Sequence, residues 1–113
     1  MENKTVEEGK TIAIIAYITL IGLIIAFIMN NEKKNEFASF HIRQSLGLLV
    51  LSAIVAVFFF IFGFVVSIPF LPTIVNLLIL VLWVLGFIGA IQGEEKKVPV
   101  LGDQFQDWFK GVG

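Results

Sequence analysis

The sequence predicts an all-α integral membrane protein of three transmembrane helices with short interfacial amphipathic segments, in a single membrane domain over residues 1–113. Three observations predict it. Apolar residues make up 58 % of the chain and mean hydropathy is +0.94, above the ordinary range of a soluble domain. From Ser45 to Gly93 there is no Asp, Glu, Lys, Arg or His. A soluble fold this small leaves too much surface in water to hide such a stretch. The apolar runs also approach the length of about 20 residues that crosses a hydrocarbon core of roughly 30 Å. In lipid the backbone must be satisfied within each segment, so these runs are helices.

The first run, Thr11–Met29, carries no charge. The segment before it holds Glu2, Glu7 and Glu8 against Lys4 and Lys10, and no small-x-small site follows it. It is therefore expected to be a retained span rather than a cleaved signal peptide. Thr5 and Glu8 have capping-box spacing, which would start the helix ahead of the membrane.

Asn30–Glu36 is a polar break, and a new helix is expected near Asn35. Phe37, Phe40, His41, Gln44 and Leu48 share one face of it by spacing. The second span covers residues 45–68. A straight helix from Glu36 to Ile68 would be about 50 Å long at 1.5 Å per residue, so its first two turns are expected at or beyond the interface. Pro69 and Pro72 bracket Phe70 and Leu71 and end the helix. This apolar connection is expected at the membrane surface or under another protein.

The third span covers residues 73–91, with Asn76 as its only strongly polar side chain. Glu94-Glu95-Lys96-Lys97 is a solvated charge run. In the tail, residues 103–110 form a short amphipathic segment. Its Phe105, Trp108 and Phe109, in one stripe with Leu101, are expected to anchor it at the interface. Three spans put Lys4 and Lys10 on one face and Lys33, Lys34, Arg43, Lys96, Lys97 and Lys110 on the other. Lys and Arg favour the cytoplasmic side. The expected topology is thus an outside N-terminus and a cytoplasmic C-terminus.

Small residues recur four apart: Gly22 with Ala26, Ser52 with Ala56, Gly63 with Ser67, Gly89 with Gly93. Such pairs let helix backbones approach in lipid, within one chain or between chains. His41, the only histidine, stands with Arg43, Gln44 and Ser45 at the mouth of the second span. Its expected place is at headgroup level, bonded to backbone or lipid, with pH sensing as the alternative. Together His41 and Gln44 are expected to tie the helix to backbone groups near Val98 and Val100.

The chain has no cysteine, and a lone histidine without an acidic cluster is not a metal site. No Ser-His-Asp spacing, His-Glu-x-x-His helix or glycine-rich phosphate loop occurs. No span holds a carboxylate or another ionisable relay, which argues against intramembrane proteolysis and proton-coupled transport. No catalytic residue, metal or cofactor is expected. Net charge is −1, so nucleic acid is not an expected partner.

Phe40-His41-Ile42-Arg43-Gln44-Ser45-Leu46, entering a long apolar pair of spans, and Gly89-Ala90-Ile91-Gln92-Gly93-Glu94 followed by Val98-Pro99-Val100, form a recognisable set. With the polar turn after the first span, this resembles a bacterial membrane-protein family of unknown function. That family is related to the Tic-twenty component of the chloroplast inner-envelope import machinery. The resemblance runs from about Thr11 to Phe105 and implies a multi-helix protein of the bacterial inner membrane. It marks Phe40, His41, Arg43, Gln44 and Pro99 as candidate structural or interaction residues. The plastid relatives are commonly read as having a fourth span, and residues 103–110 are too short and polar to supply one.

The expected function is binding: a non-catalytic accessory or scaffold subunit of a larger membrane complex. Its partners would be the lipid bilayer and either other membrane proteins or further copies of itself. The alternative is a subunit of an ion- or polypeptide-conducting channel.

Overall fold

The computed structural model describes residues 3–63 and 68–112. Five helices follow one another: α1 (Asn3–Ile18), α2 (Leu20–Lys33), α3 (Glu36–Phe62), α4 (Leu71–Gln92) and α5 (Gly102–Trp108). Among the described residues there is no strand.

Among the described residues, α3 and α4 are the two helices long and apolar enough to cross a membrane. At 1.5 Å per residue their 27 and 22 residues extend about 40 and 33 Å. They run antiparallel, and Pro72 stands in the first turn of α4, where a missing N–H costs nothing. Their outward residues, among them Ile54, Phe60, Ile61, Leu77 and Leu78, are exposed. That is the surface a hydrocarbon solvent accepts and water rejects. The second helix was expected to reach Ile68. In the structure α3 ends at Phe62, and Ile68 is already non-helical ahead of the Pro69–Phe70 turn.

The first apolar run departs from expectation. Instead of one span over residues 11–29, it folds back at Thr19, whose backbone is fully extended (φ −158°, ψ 178°). The Thr19 hydroxyl accepts the Gly22 N–H at 3.1 Å and caps α2. α1 climbs beside α3 and α2 returns, so the two form a helical hairpin. Its ends meet at the base. Asn35 donates from Nδ2 to the Thr5 carbonyl at 2.8 Å, while its Oδ1 accepts the Ala38 N–H at 3.0 Å and caps α3. Thr5 lies inside α1 rather than at its cap, because the helix already begins at Asn3.

The topology expected from three spans therefore changes. Val6 touches Gly93, Gln44 reaches Lys96 and Arg43 reaches Val112. The N-terminal helix, the 34–35 turn, the end of α4 and the tail all gather at one end of the molecule. The positions of all charged residues in the described segments are at that end. The opposite end, Phe62–Gly63 and Ile68–Asn76, carries none.

The core sits in the charged half. One cluster joins Ala13, Tyr17, Phe37, Leu48, Ala90, Val98 and Phe105. The other joins Ile12, Ala16, Leu23, Ala26, Ala38 and Ile42. Lipid tails are as apolar as these side chains, so burying them between helices gains packing rather than release from water. That favours small residues at the contacts. Ala13, Ala16, Ala26, Ala38 and Ala90 are all fully buried.

Single cysteines at Glu7, Lys97 and Phe70, reacted with an impermeant maleimide in intact and opened vesicles, test this architecture. Glu7 and Lys97 should label from one side and Phe70 from the other. Labelling of Glu7 together with Phe70 would restore a first span that crosses.

Candidate functional site: a polar hub at the base of the spans

One helix face supplies the hub. His41 and Gln44, three residues apart on α3, are both fully buried. α1 brings Tyr17 against them, and Gly86 of α4 makes room. A Cβ at Gly86 would stand 2.9 Å from the Tyr17 ring and 3.1 Å from Gln44 Nε2. The segment after α4 then closes over the pair with its backbone.

The hydrogen bonds form a connected set. The Tyr17 hydroxyl is 2.6 Å from His41 Nδ1, and His41 Nε2 is 2.8 Å from the Glu94 carbonyl. A carbonyl only accepts, so Nε2 carries the proton and Nδ1 accepts from Tyr17. The imidazole is thus satisfied in its neutral form. Gln44 Nε2 donates to the Tyr17 hydroxyl at 2.9 Å and to the Lys96 carbonyl at 3.0 Å. Gln44 Oε1 accepts the Val98 N–H at 2.9 Å. The rings of Phe37 and Phe40 meet the His41 ring edge-on at 4.8 and 4.9 Å between centroids.

A second polar group fixes the hairpin base. Asn30, fully buried at the end of α2, accepts the Asn35 N–H at 2.8 Å and donates to Ser39 Oγ at 2.8 Å. A third serves the apex. Where α1 stops, ahead of Thr19, its last carbonyls lose their helical partners. The Ser45 hydroxyl of α3 donates to the Ala16 carbonyl, and Trp83 Nε1 of α4 donates to the Tyr17 carbonyl at 2.7 Å. Among the described residues, no buried side-chain nitrogen or oxygen lacks a partner.

Of the residues singled out by sequence, His41 and Gln44 meet in the hub. The Phe40 carbonyl accepts Gln106 Nε2 at 2.8 Å, and Arg43 Nε donates to the Val112 carbonyl at 2.9 Å. Both therefore hold the tail. Pro99 is exposed in the turn beside Val98, and its carbonyl accepts the Leu101 N–H. Gly22 and Ala26 pack inside the hairpin, Gly22 directly on the Ile15 carbonyl. Gly89 lies 3.0 Å (by its would-be Cβ) from Lys96, and Gly93 ends α4 at φ +74°, a value that favours glycine. Gly63 is exposed and meets no other helix, and Ser67 lies outside the described residues. The expected tail stripe divides. Phe105 is buried against Gly47 rather than anchoring in the interface, Phe109 is half-buried, and Trp108 is 64 % exposed.

Sequence reasoning passed over Tyr17, Asn30 and Trp83. The signal was present, since Tyr17, Trp83 and Trp108 are the only aromatic rings with a polar handle. Such a handle within an apolar run finds a partner when buried. No group of three or more His, Asp or Glu side chains converges among the described residues in a way that could hold a metal ion.

The family model described as the magnetosome magnetite crystal formation protein family matches residues 8–105. Two relatives from Methanocaldococcus jannaschii are similar. The UPF0132 membrane protein MJ1527 is 35 % identical over 83 residues, covering 70 % of this chain and 55 % of the relative. The UPF0132 membrane protein MJ1443 is 40 % identical over 76 residues, covering 64 % and 63 %. The chain thus spans between half and two thirds of the relatives it matches. No solved structure matches it.

Tyr17→Phe removes a hydroxyl that serves both His41 and Gln44. It should lower stability in detergent by about 1–3 kcal/mol, the usual effect of leaving buried partners unpaired. Gln44→Leu severs three bonds and should cost more. Melting curves equal to wild type for both would show that the hub does not hold the fold. Separately, a Cβ at Gly47 would overlap the Phe105 ring. Gly47→Ala should free the tail at an overpacking cost of about 1–3 kcal/mol, read as faster proteolysis after Val100 with the helical bundle intact.

Proposed function

This chain belongs to the magnetosome magnetite crystal formation protein family, and we propose that it works by binding, as a non-catalytic accessory or scaffold subunit of a larger membrane assembly. The observation that carries this reading is the saturation of its polar groups. His41, Gln44, Tyr17, Asn35, Ser45 and Trp83 all bond within the chain. Asn76 bonds the Pro72 carbonyl of its own helix. The buried polar groups of the bundle are thus engaged in positioning helices, and its outward faces are mostly apolar. A surface of this kind recognises lipid or other apolar helices.

The family's description speaks of magnetite crystal formation. For this chain the reading drawn from its geometry is narrower: a membrane-embedded platform with the charge of its described residues on one face. That face we place in the cytoplasm of a bacterial inner membrane, since Lys and Arg positions gather there and cytoplasmic segments favour them. The start of α1 and the end of the tail then lie inside.

A photo-crosslinking residue at Phe60, 85 % exposed near the uncharged end, and one at the fully buried Phe37 test the reading in native membranes. Phe60 should yield discrete protein adducts, to further copies or to another membrane protein, and Phe37 none. Adducts to lipid alone at Phe60, with ion flux through liposomes of the purified protein, would replace this reading with the channel.

A further inference from the structure

We propose that the α1–α2 hairpin occupies only one leaflet, which makes the protein a wedge suited to a bilayer that is convex on the charged face.

The depth of the hairpin follows from its length. Its apolar legs, Thr11–Ile18 and Leu20–Met29, rise about 12 and 15 Å at 1.5 Å per residue, half of a hydrocarbon core of roughly 30 Å. Contacts give the same depth. Ile18, Thr19 and Leu20 face a groove of about 400 Å³ whose other walls include Leu49 and Ser52 of α3 and Ile79 and Leu80 of α4. Those residues lie near the middle of their helices.

The hairpin is in lipid along this whole depth. Leu20, Ile21, Ile24, Phe27 and Ile28 of α2 are between 44 and 69 % exposed and all apolar. Its base cannot sink further, because Glu32, Lys33 and Lys34 close α2 and Glu7, Glu8 and Lys10 flank the base of α1. The apex is fixed too. The Ala16 and Tyr17 carbonyls are taken by Ser45 and Trp83, and Thr19 caps the returning helix.

The cross-section therefore changes halfway through the membrane. In the leaflet beside the charges four helices stand side by side. In the other leaflet only the outer halves of α3 and α4 remain. With each helix about 10 Å across, the first leaflet carries roughly twice the protein area of the second. Acyl chains of the second leaflet must cover the hairpin tip and fill the groove, since no protein element of the described residues lies there. A bilayer whose charged-face leaflet is expanded meets this demand without strain, and a flat bilayer does not.

Two measurements test it in the full chain. Spin labels at Ile21 and Ile28, with relaxation by oxygen and by a water-soluble nickel chelate, report depth in phospholipid vesicles. Ile21 should lie near the bilayer centre and Ile28 nearer the headgroups of the charged face. Ile21 at the opposite interface would mean a crossing span and would overturn the wedge. The second is sorting. Reconstituted at low protein density into a mixture of small sonicated and large extruded phosphatidylcholine vesicles, the protein should be several-fold denser in the small ones, with its charged face outward. Equal density, or an inward charged face in the small vesicles, would overturn it as well. An exposed amphipathic tail can also sense curvature, so Trp108→Ser is the control. The preference should survive it, and its loss would assign curvature sensing to the tail and refute the hairpin as its cause.

Discussion

Polar groups taken out of water must find partners inside the chain, and the structure depends on how Tyr17, His41 and Gln44 do so. Between apolar helices in lipid there is little hydrophobic force to set one arrangement above another. Directional bonds then decide. The hub connects three parts: Tyr17 from α1, His41 and Gln44 from α3, and the Glu94, Lys96 and Val98 backbone after α4. Each side chain uses its donors and acceptors in one consistent pattern, which a shifted helix could not reproduce.

The same constraint explains the break at Thr19. A helix that stops within the membrane exposes carbonyls at its end and N–H groups at the next beginning. In hydrocarbon each unsatisfied group costs several kcal/mol. Here the break is covered from three sides: Ser45 from α3, Trp83 from α4 and the Thr19 hydroxyl itself. At the base, Asn30 and Asn35 do the equivalent for the turn between α2 and α3. Irregular backbone is tolerated at membrane depth because neighbouring side chains stand in for water.

α3 and α4 were legible because a charge-free run from Ser45 to Gly93, interrupted by Pro69 and Pro72, leaves little else to build. The patch of His41, Arg43, Gln44 and Ser45 stood out for the same reason, as polar residues at the mouth of a long apolar helix. The hairpin was not legible. Thr11–Met29 has the length and composition of a span, and neither Pro nor Gly marks residue 19. Its fold is set by donors 26 and 64 residues later in the chain, Ser45 and Trp83, which no local pattern reveals. Phe105 was misplaced for a related reason. Amphipathic spacing tells which residues share a stripe but not whether lipid or a glycine such as Gly47 receives them.

The folded-back first run can be weighed against the straight span that its composition would allow. Straightened, its 19 residues would measure about 28 Å and satisfy their own backbone without help. Straightening would also pull Tyr17 away from His41 and Gln44, leaving buried donors and acceptors in lipid, and would strip Ala38 and Ile42 of their α1 neighbours. It would further require α1 to carry Glu7, Glu8 and Lys10 to the far side, against an apolar end that offers them no partner. Folded back, the run keeps every charge at one end and exchanges one full-length helix for two half-length ones tied by side chains. The hub is what makes the second state the lower one. A single polar contact could not, since such bonds in membranes average well under 2 kcal/mol. The hub's Tyr17, His41 and Gln44 together with the apex donors Ser45 and Trp83, on α1, α3 and α4, each bond at least one other element, and jointly they can.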